Sequence, residues 1–150
     1  MRALFVDTGG WMACADAADP LHREAREARD EALRSGRLLV TTDFVIDETL
    51  TLVRFRLGLA AAEAWWAQVE GSSRVRHETI DAMRAEKARA WFFRYRDKDY
   101  SFTDCTSFVV MRELRLREAL TTDRHFVQAG FDVLPSAGPA TRPRKGRSRG

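Results

Sequence analysis

Short runs of strand character alternate with longer stretches of helical periodicity along this chain, and that alternation decides the fold class. Leu4-Phe5-Val6 is an apolar run closed by Asp7-Thr8-Gly9-Gly10, which reads as a buried strand ending in a turn. Asp19-Pro20 looks like a cap followed by proline at the first helical position. Leu21, Ala25, Ala28 and Ala32 then recur at helical spacing until Ser35-Gly36 stops them. Leu38-Leu39-Val40 is a second strand. From Asp43 as cap, a helix runs to about Leu57 with Ile46, Leu50, Val53 and Leu57 on one face. Another passes through Ala62, Trp65, Trp66 and Val69 to Gly71. Arg74 to Glu78 is a weak third strand, followed by a long helix over Asp81 to Tyr95 and a second over Thr103 to about Leu116. Glu118 to Thr122 and Phe131 to Leu134 are the last two strands. Strands apolar on both faces belong in a parallel sheet covered by helices. The expected architecture is a three-layer α/β/α sandwich of about five strands.

A chain of 150 residues suffices for one domain with a real core. No apolar run approaches a membrane span, and Asp7 interrupts the N-terminus too early for a secretory signal. A cytoplasmic protein is expected. Cys14 and Cys105 form no pair of metal-ligand or redox spacing, and neither do His22, His77 and His125. Any metal is therefore expected on oxygen. The formal charge of +3 comes from the end of the chain. Arg142, Arg144, Lys145, Arg147 and Arg149 lie in the last ten residues with no acid among them. Without them, 25 basic and 22 acidic groups become 20 and 22, so the body is acidic. Residues 1–135 read as one domain and 136–150 as a basic, disordered tail.

In an open parallel sheet, ligands bind at the carboxyl ends of the strands, where strand order reverses. Asp7 follows the first strand and Asp123 the fourth. Asp104 lies in the first turn of the helix entering the fourth strand, and Glu48 on the helix leaving the second. If the first and fourth strands are neighbours, all four acids converge on one crevice. Two unit charges about 4 Å apart repel by roughly 4 kcal/mol at an effective dielectric near 20. Such a cluster either stays partly protonated or takes up a hard cation, Mg²⁺ or Mn²⁺, which acidifies water and offsets charge on a phosphate. Each acid also has a local reading. Asp7 is a turn residue, Asp104 closes a capping box with Ser101, Asp123 caps the short helix Arg124 to Gln128, and Glu48 is a solvated neighbour of Asp47.

Four segments, in order, resemble the PIN-domain ribonucleases, in particular the VapC toxins of bacterial toxin–antitoxin pairs. They are Phe5-Val6-Asp7-Thr8-Gly9-Gly10-Trp11, Thr41 to Leu52 around Asp47-Glu48, Tyr100-Ser101-Phe102-Thr103-Asp104-Cys105-Thr106-Ser107-Phe108, and Leu120-Thr121-Thr122-Asp123-Arg124-His125-Phe126. The resemblance implies a sheet in the order 3-2-1-4-5 and metal-binding, catalytic acids at Asp7, Glu48, Asp104 and Asp123. Thr8 and Thr103 match positions that hold small hydroxyl residues near the metals. It also implies a Mg²⁺- or Mn²⁺-dependent endoribonuclease acting on single-stranded or loop RNA, 5′-phosphate products, a homodimer, and a VapB-like antitoxin covering the site. No histidine is required as general base, and His125 is not counted in the site.

Other readings are weaker. Asp7-Thr8-Gly9 matches the aspartic-protease triplet, but that chemistry belongs to an almost all-β fold. Haloacid-dehalogenase-like phosphatases need a second aspartate where Gly9 stands. A non-catalytic RNA- or partner-binding module is the alternative of a different class. Arg84, Lys87, Arg89, Arg94 and Arg96 interleave with Trp91, Phe92, Phe93 and Tyr95, which suits a stacking surface for RNA or, more simply, a helix with its aromatics in the core or at a dimer interface.

Overall fold

The computed structural model describes residues 1–136. The basic segment expected at 136–150 lies, apart from Ser136, outside the described residues. Five strands, β1 (Ala3–Val6), β2 (Leu38–Thr42), β3 (Val75–Glu78), β4 (Glu118–Leu120) and β5 (Asp132–Leu134), form one parallel sheet in the order β3-β2-β1-β4-β5. The helices between them are α1 (Thr8–Ala15), α2 (His22–Arg34), α3 (Asp43–Leu57), α4 (Leu59–Gly71), α5 (Ala82–Arg94), α6 (Phe102–Glu113) and α7 (His125–Gln128). Every residue of β1 is buried, as expected of a central strand covered on both faces.

Strand order reverses between β1 and β4. Phe5 is in register with Ala119 and Val6 with Leu120, and Asp7 N–H donates to the Leu120 carbonyl at 3.1 Å. The crevice expected at such a switch point therefore opens where Asp7 and Asp123 leave the sheet. Across it, α6 is anchored by an aromatic cluster. Phe108 is fully buried, with Trp91, Tyr100, Phe126 and Phe131 rings at 5.3, 5.1, 5.0 and 5.7 Å. Fully burying a phenylalanine contributes about 1.5–3 kcal/mol. Phe108 lies one helical turn beyond Asp104, so the ring that fixes the helix also fixes the acid.

Several local expectations are corrected. Thr8-Gly9-Gly10 is not a turn but the first turn of α1. Two glycines allow that helix to lie against the end of β4. A Cβ on Gly10 would sit 2.1 Å from the Leu120 carbonyl oxygen, and one on Gly9 2.5 Å from Thr122 Oγ1. The cap of α3 is Thr42, whose hydroxyl accepts from Val45 N–H at 3.1 Å. Asp43 instead accepts from Phe44 and Ile80 N–H. The fully buried stripe of α3 is Val45, Thr49 and Val53, with Ile46 and Leu50 at its margin and Leu57 exposed. The aromatics of α5 divide. Trp91 and Tyr95 pack on the core, while Phe93 is exposed. Arg84 is held by Glu113 and Glu78 at 2.9 and 3.3 Å. The interleaved pattern therefore does not make one continuous stacking face.

Candidate active site

Asp7 occupies the N-cap position of α1 in extended conformation, yet its side chain makes no capping bond. The carboxylate is instead turned to the crevice, where Oδ2 accepts from Thr121 Oγ1 at 3.0 Å. Only 4% of Asp7 is exposed. Asp104 combines two of its readings. Its backbone and side chain close a capping box with Ser101, at 2.9 and 3.0 Å, and its carboxylate lines the same crevice. Asp123 is not the cap of α7, whose N-cap is Arg124; its Oδ1 accepts from the N–H of His125, the first residue of that helix, at 2.8 Å, and it faces Asp104. Glu48 reaches the crevice from α3, half-buried, whereas Asp47 is exposed. Neighbours on a helix point about 100° apart, which separates the two.

The structure therefore brings Asp7, Glu48, Asp104, Asp123 and Thr8 to one crevice of about 380 Å³. It does not bring Thr103 there. Thr103 is half-buried, and its carbonyl accepts from Thr106 Oγ1 at 2.6 Å. A larger cavity of about 470 Å³, walled by Trp11, Trp65, Val53 and Leu33, has only Arg29 and Asp30 as charged lining, and these pair at 3.0 Å. Its size does not outweigh the chemistry of the smaller one.

Burial pushes the Asp7 carboxyl up from 3.8 to about 7, with the charge of Asp104 adding to it and the hydrogen bonds from Thr8 N–H and Thr121 opposing. Burial likewise lifts Asp104 to about 6; the Asp123 charge pushes the same way, and the Ser101 bonds oppose it. The cluster thus resists carrying its full negative charge unaided. Thr8 Oγ1 is buried without a hydrogen-bond partner. Unsatisfied oxygen donors among crowded carboxylates are the chemistry of a hard divalent-cation site, so the residues present fit one.

Several lining residues were not anticipated: Asp19, Leu52, Arg56, Asp99, Ser101, Thr122 and His125. His125 departs most from the expectation of oxygen alone. Its Nδ1 lies 2.8 Å from Asp123 Oδ1 and 3.4 Å from Asp104 Oδ2, and donor atoms of these three residues fall within 4.8 Å of one another. Its position two residues after Asp123, on the first turn of a short helix, was the available signal. Thr121, which holds Asp7, was legible only as a member of the Thr121-Thr122-Asp123 segment.

Compared with known proteins, residues 4–132 match the PIN domain family. The chain is similar to the 23S rRNA-specific endonuclease VapC20 of Mycobacterium tuberculosis, at 37% identity over 133 residues, 88% of this chain and 98% of that protein. It is similar also to ribonuclease VapC26 of the same organism, at 30% identity over 139 residues, 88% of this chain and 100% of that protein. The crystal structure of VapC20, described as a sarcin–ricin-loop-cleaving toxin, matches with a TM-score of 0.77 and 36% identity over 86% of this chain and 96% of that one. FitAcB from Neisseria gonorrhoeae matches with a TM-score of 0.61 over 87% and 95% of the two chains. At 14% identity it supports the fold alone.

Proposed function

The chain belongs to the PIN-domain family as a VapC-type ribonuclease, and from that premise we propose that it cuts 23S ribosomal RNA within the sarcin–ricin loop, using a divalent cation held by Asp7, Glu48, Asp104 and Asp123. The observation that carries the catalytic part is the convergence of these four carboxylates at the β1/β4 switch point. The relatives' targets support the RNA.

When bound, Mg²⁺ or Mn²⁺ supplies positive charge opposite a scissile phosphate and acidifies water there. The protein's own contribution is placement. Thr121 orients Asp7, Ser101 orients Asp104, and the His125 backbone orients Asp123. Glu48 reaches the same crevice from α3. Met12 and Leu52 give the crevice apolar wall. Among the described residues its lining includes a single guanidinium, that of Arg56. RNA thus meets a strongly acidic crevice, and the cation is what makes it hospitable to phosphate.

An antitoxin of VapB type is the proposed partner, because an arginine offered by a second protein matches paired carboxylates well. A homodimer is proposed with it. Phe55, 80% exposed, and Leu59, 56% exposed, flank the α3–α4 junction as apolar surface for a second copy. No helix among the described residues is long and apolar enough to cross a membrane, and a cytoplasmic site of action is proposed from the ribosomal substrate. The test is to incubate ribosomes with the purified chain and Mn²⁺ or Mg²⁺, then map new 5′ ends on 23S RNA. A single cut in the sarcin–ricin loop, absent with EDTA, is expected. Cuts elsewhere would reassign the substrate.

A further inference from the structure

We infer that His125 is a nitrogen ligand to the divalent cation of this crevice, and that this ligand makes the site prefer Mn²⁺ to Mg²⁺. The inference rests on the reading that the clustered acids hold such a cation.

The first ground is spacing. Neighbouring donors around an octahedral ion with bonds of about 2.1 Å stand roughly 3 Å apart. His125 Nδ1 stands 2.8 Å from Asp123 Oδ1 and 3.4 Å from Asp104 Oδ2, so both spacings from the ring nitrogen match adjacent donors of one ion, and donor atoms of the three residues lie within 4.8 Å of one another. The second is that Nδ1 is buried and makes no hydrogen bond. Although the Asp123 oxygen is close enough, it lies off the direction a ring N–H requires, so the pair is not a well-made donor–acceptor contact. A bare nitrogen lone pair packed against carboxylate oxygens is repulsive; either a proton on Nδ1 or a cation between the groups relieves it, and the off-line approach of the Asp123 oxygen favours the cation. Thr8 Oγ1, on the same crevice, is likewise a buried polar atom without a hydrogen-bond partner.

The ring is placed for this role rather than left to wander. The His125 backbone N–H donates to Asp123 Oδ1, and the ring meets Tyr100 edge to face at 5.8 Å and 87°. Imidazole is a good ligand for first-row transition ions and a poor one for Mg²⁺, which favours oxygen and water. A mixed nitrogen–oxygen set therefore discriminates where four carboxylates alone would discriminate less.

The test uses the full chain stripped with chelator, unlabelled and with ¹⁵N-histidine, alongside His125→Ala, His125→Gln and Asp104→Asn. Circular dichroism confirms that each variant is folded. Mn²⁺ and Mg²⁺ affinities are measured by calorimetry, and pulsed paramagnetic resonance reads nitrogen coupling to bound Mn²⁺. The expected result is a histidine nitrogen coupling that changes on ¹⁵N labelling and vanishes in both His125 variants. Mn²⁺ affinity should fall about tenfold or more in those variants, while Mg²⁺ affinity changes little. Bound Mn²⁺ without nitrogen coupling, or an unchanged Mn²⁺/Mg²⁺ ratio in the His125 variants, overturns the inference and leaves the acidic cation site standing. If the unaltered chain binds neither ion, the cation reading itself fails, and the inference with it.

Discussion

The Thr121 hydroxyl donates to Asp7 Oδ2 at 3.0 Å, while Thr121 Oγ1 accepts the Asp123 backbone N–H at 2.9 Å. One side chain on the strand β4 exit thus sets the position of two acids that lie far apart in sequence. Thr121→Val keeps the shape and removes the donor. Because that bond opposes the upward push on Asp7, its loss should move the acid limb of the pH–rate profile to higher pH. Cleavage at pH 7 should fall and partly recover by pH 8, and stability should drop by about 1 kcal/mol. Thr121→Ser should behave like the parent. An unmoved acid limb would show that Thr121 does not tune Asp7.

Stability without metal should decrease as pH rises. Asp7 and Asp104 ionise at about 7 and about 6 in the folded chain, against an ordinary value of 3.8. Between about 4 and 7 the folded state therefore holds more protons than the unfolded one, and stability present below that window is lost as pH climbs through it. Asp7→Asn removes the larger part of the effect. In EDTA at pH 8 it should melt several degrees above the parent, and the gap should close towards pH 4. Melting curves at several pH values check this, and a gap of the same size at pH 4 and pH 8 would contradict it.

Cation binding should release protons. Each ion taken up at neutral pH must displace the protons that burial keeps on Asp7 and Asp104. Mn²⁺ affinity should rise steeply between about pH 6 and 7.5 and level off above. Calorimetry in buffers of different ionisation heat measures the protons released. An affinity flat across that window would mean the ion avoids these two acids.

Gly10→Ala should damage the fold at the site's edge. Its Cβ would stand 2.1 Å from the Leu120 carbonyl oxygen and 2.8 Å from the carbonyl carbon, both backbone atoms that cannot swing aside. α1 and β4 must separate, at a cost of about 1–3 kcal/mol or more, and Asp7 moves away from Asp123. Chemical denaturation and cleavage rate should both report it. Gly36→Ala, with open space around its Cβ but φ +84, should lower stability through backbone strain and spare cleavage.

The parallel sheet was legible because its strands are short and apolar on both faces, and the β1–β4 pairing followed from the family segments. The acids were legible because they fall at strand ends and in first helical turns, where the fold, not the local sequence, makes them neighbours. Asp104 shows why local readings did not compete with the functional one: the capping box that explains it locally is also what aims it. The first turn of α1 was not legible. Gly9-Gly10 reads as a breaker until a neighbouring strand end requires the absence of a Cβ. His125 was missed for a related reason: spacing rules look for histidine partners along the chain, and its partners here include Asp104 on a different helix.

Whether the acidic crevice cuts RNA through a divalent cation is tested by the single-turnover cleavage rate of an end-labelled sarcin–ricin-loop RNA by the full chain and by Asp7→Asn, each with Mn²⁺ and with EDTA. Cutting is expected only from the parent with metal, and Asp7→Asn should be folded, more stable at pH 8, and inactive. Cutting by Asp7→Asn at the parent's rate, or by the parent at full rate in EDTA, would contradict that expectation.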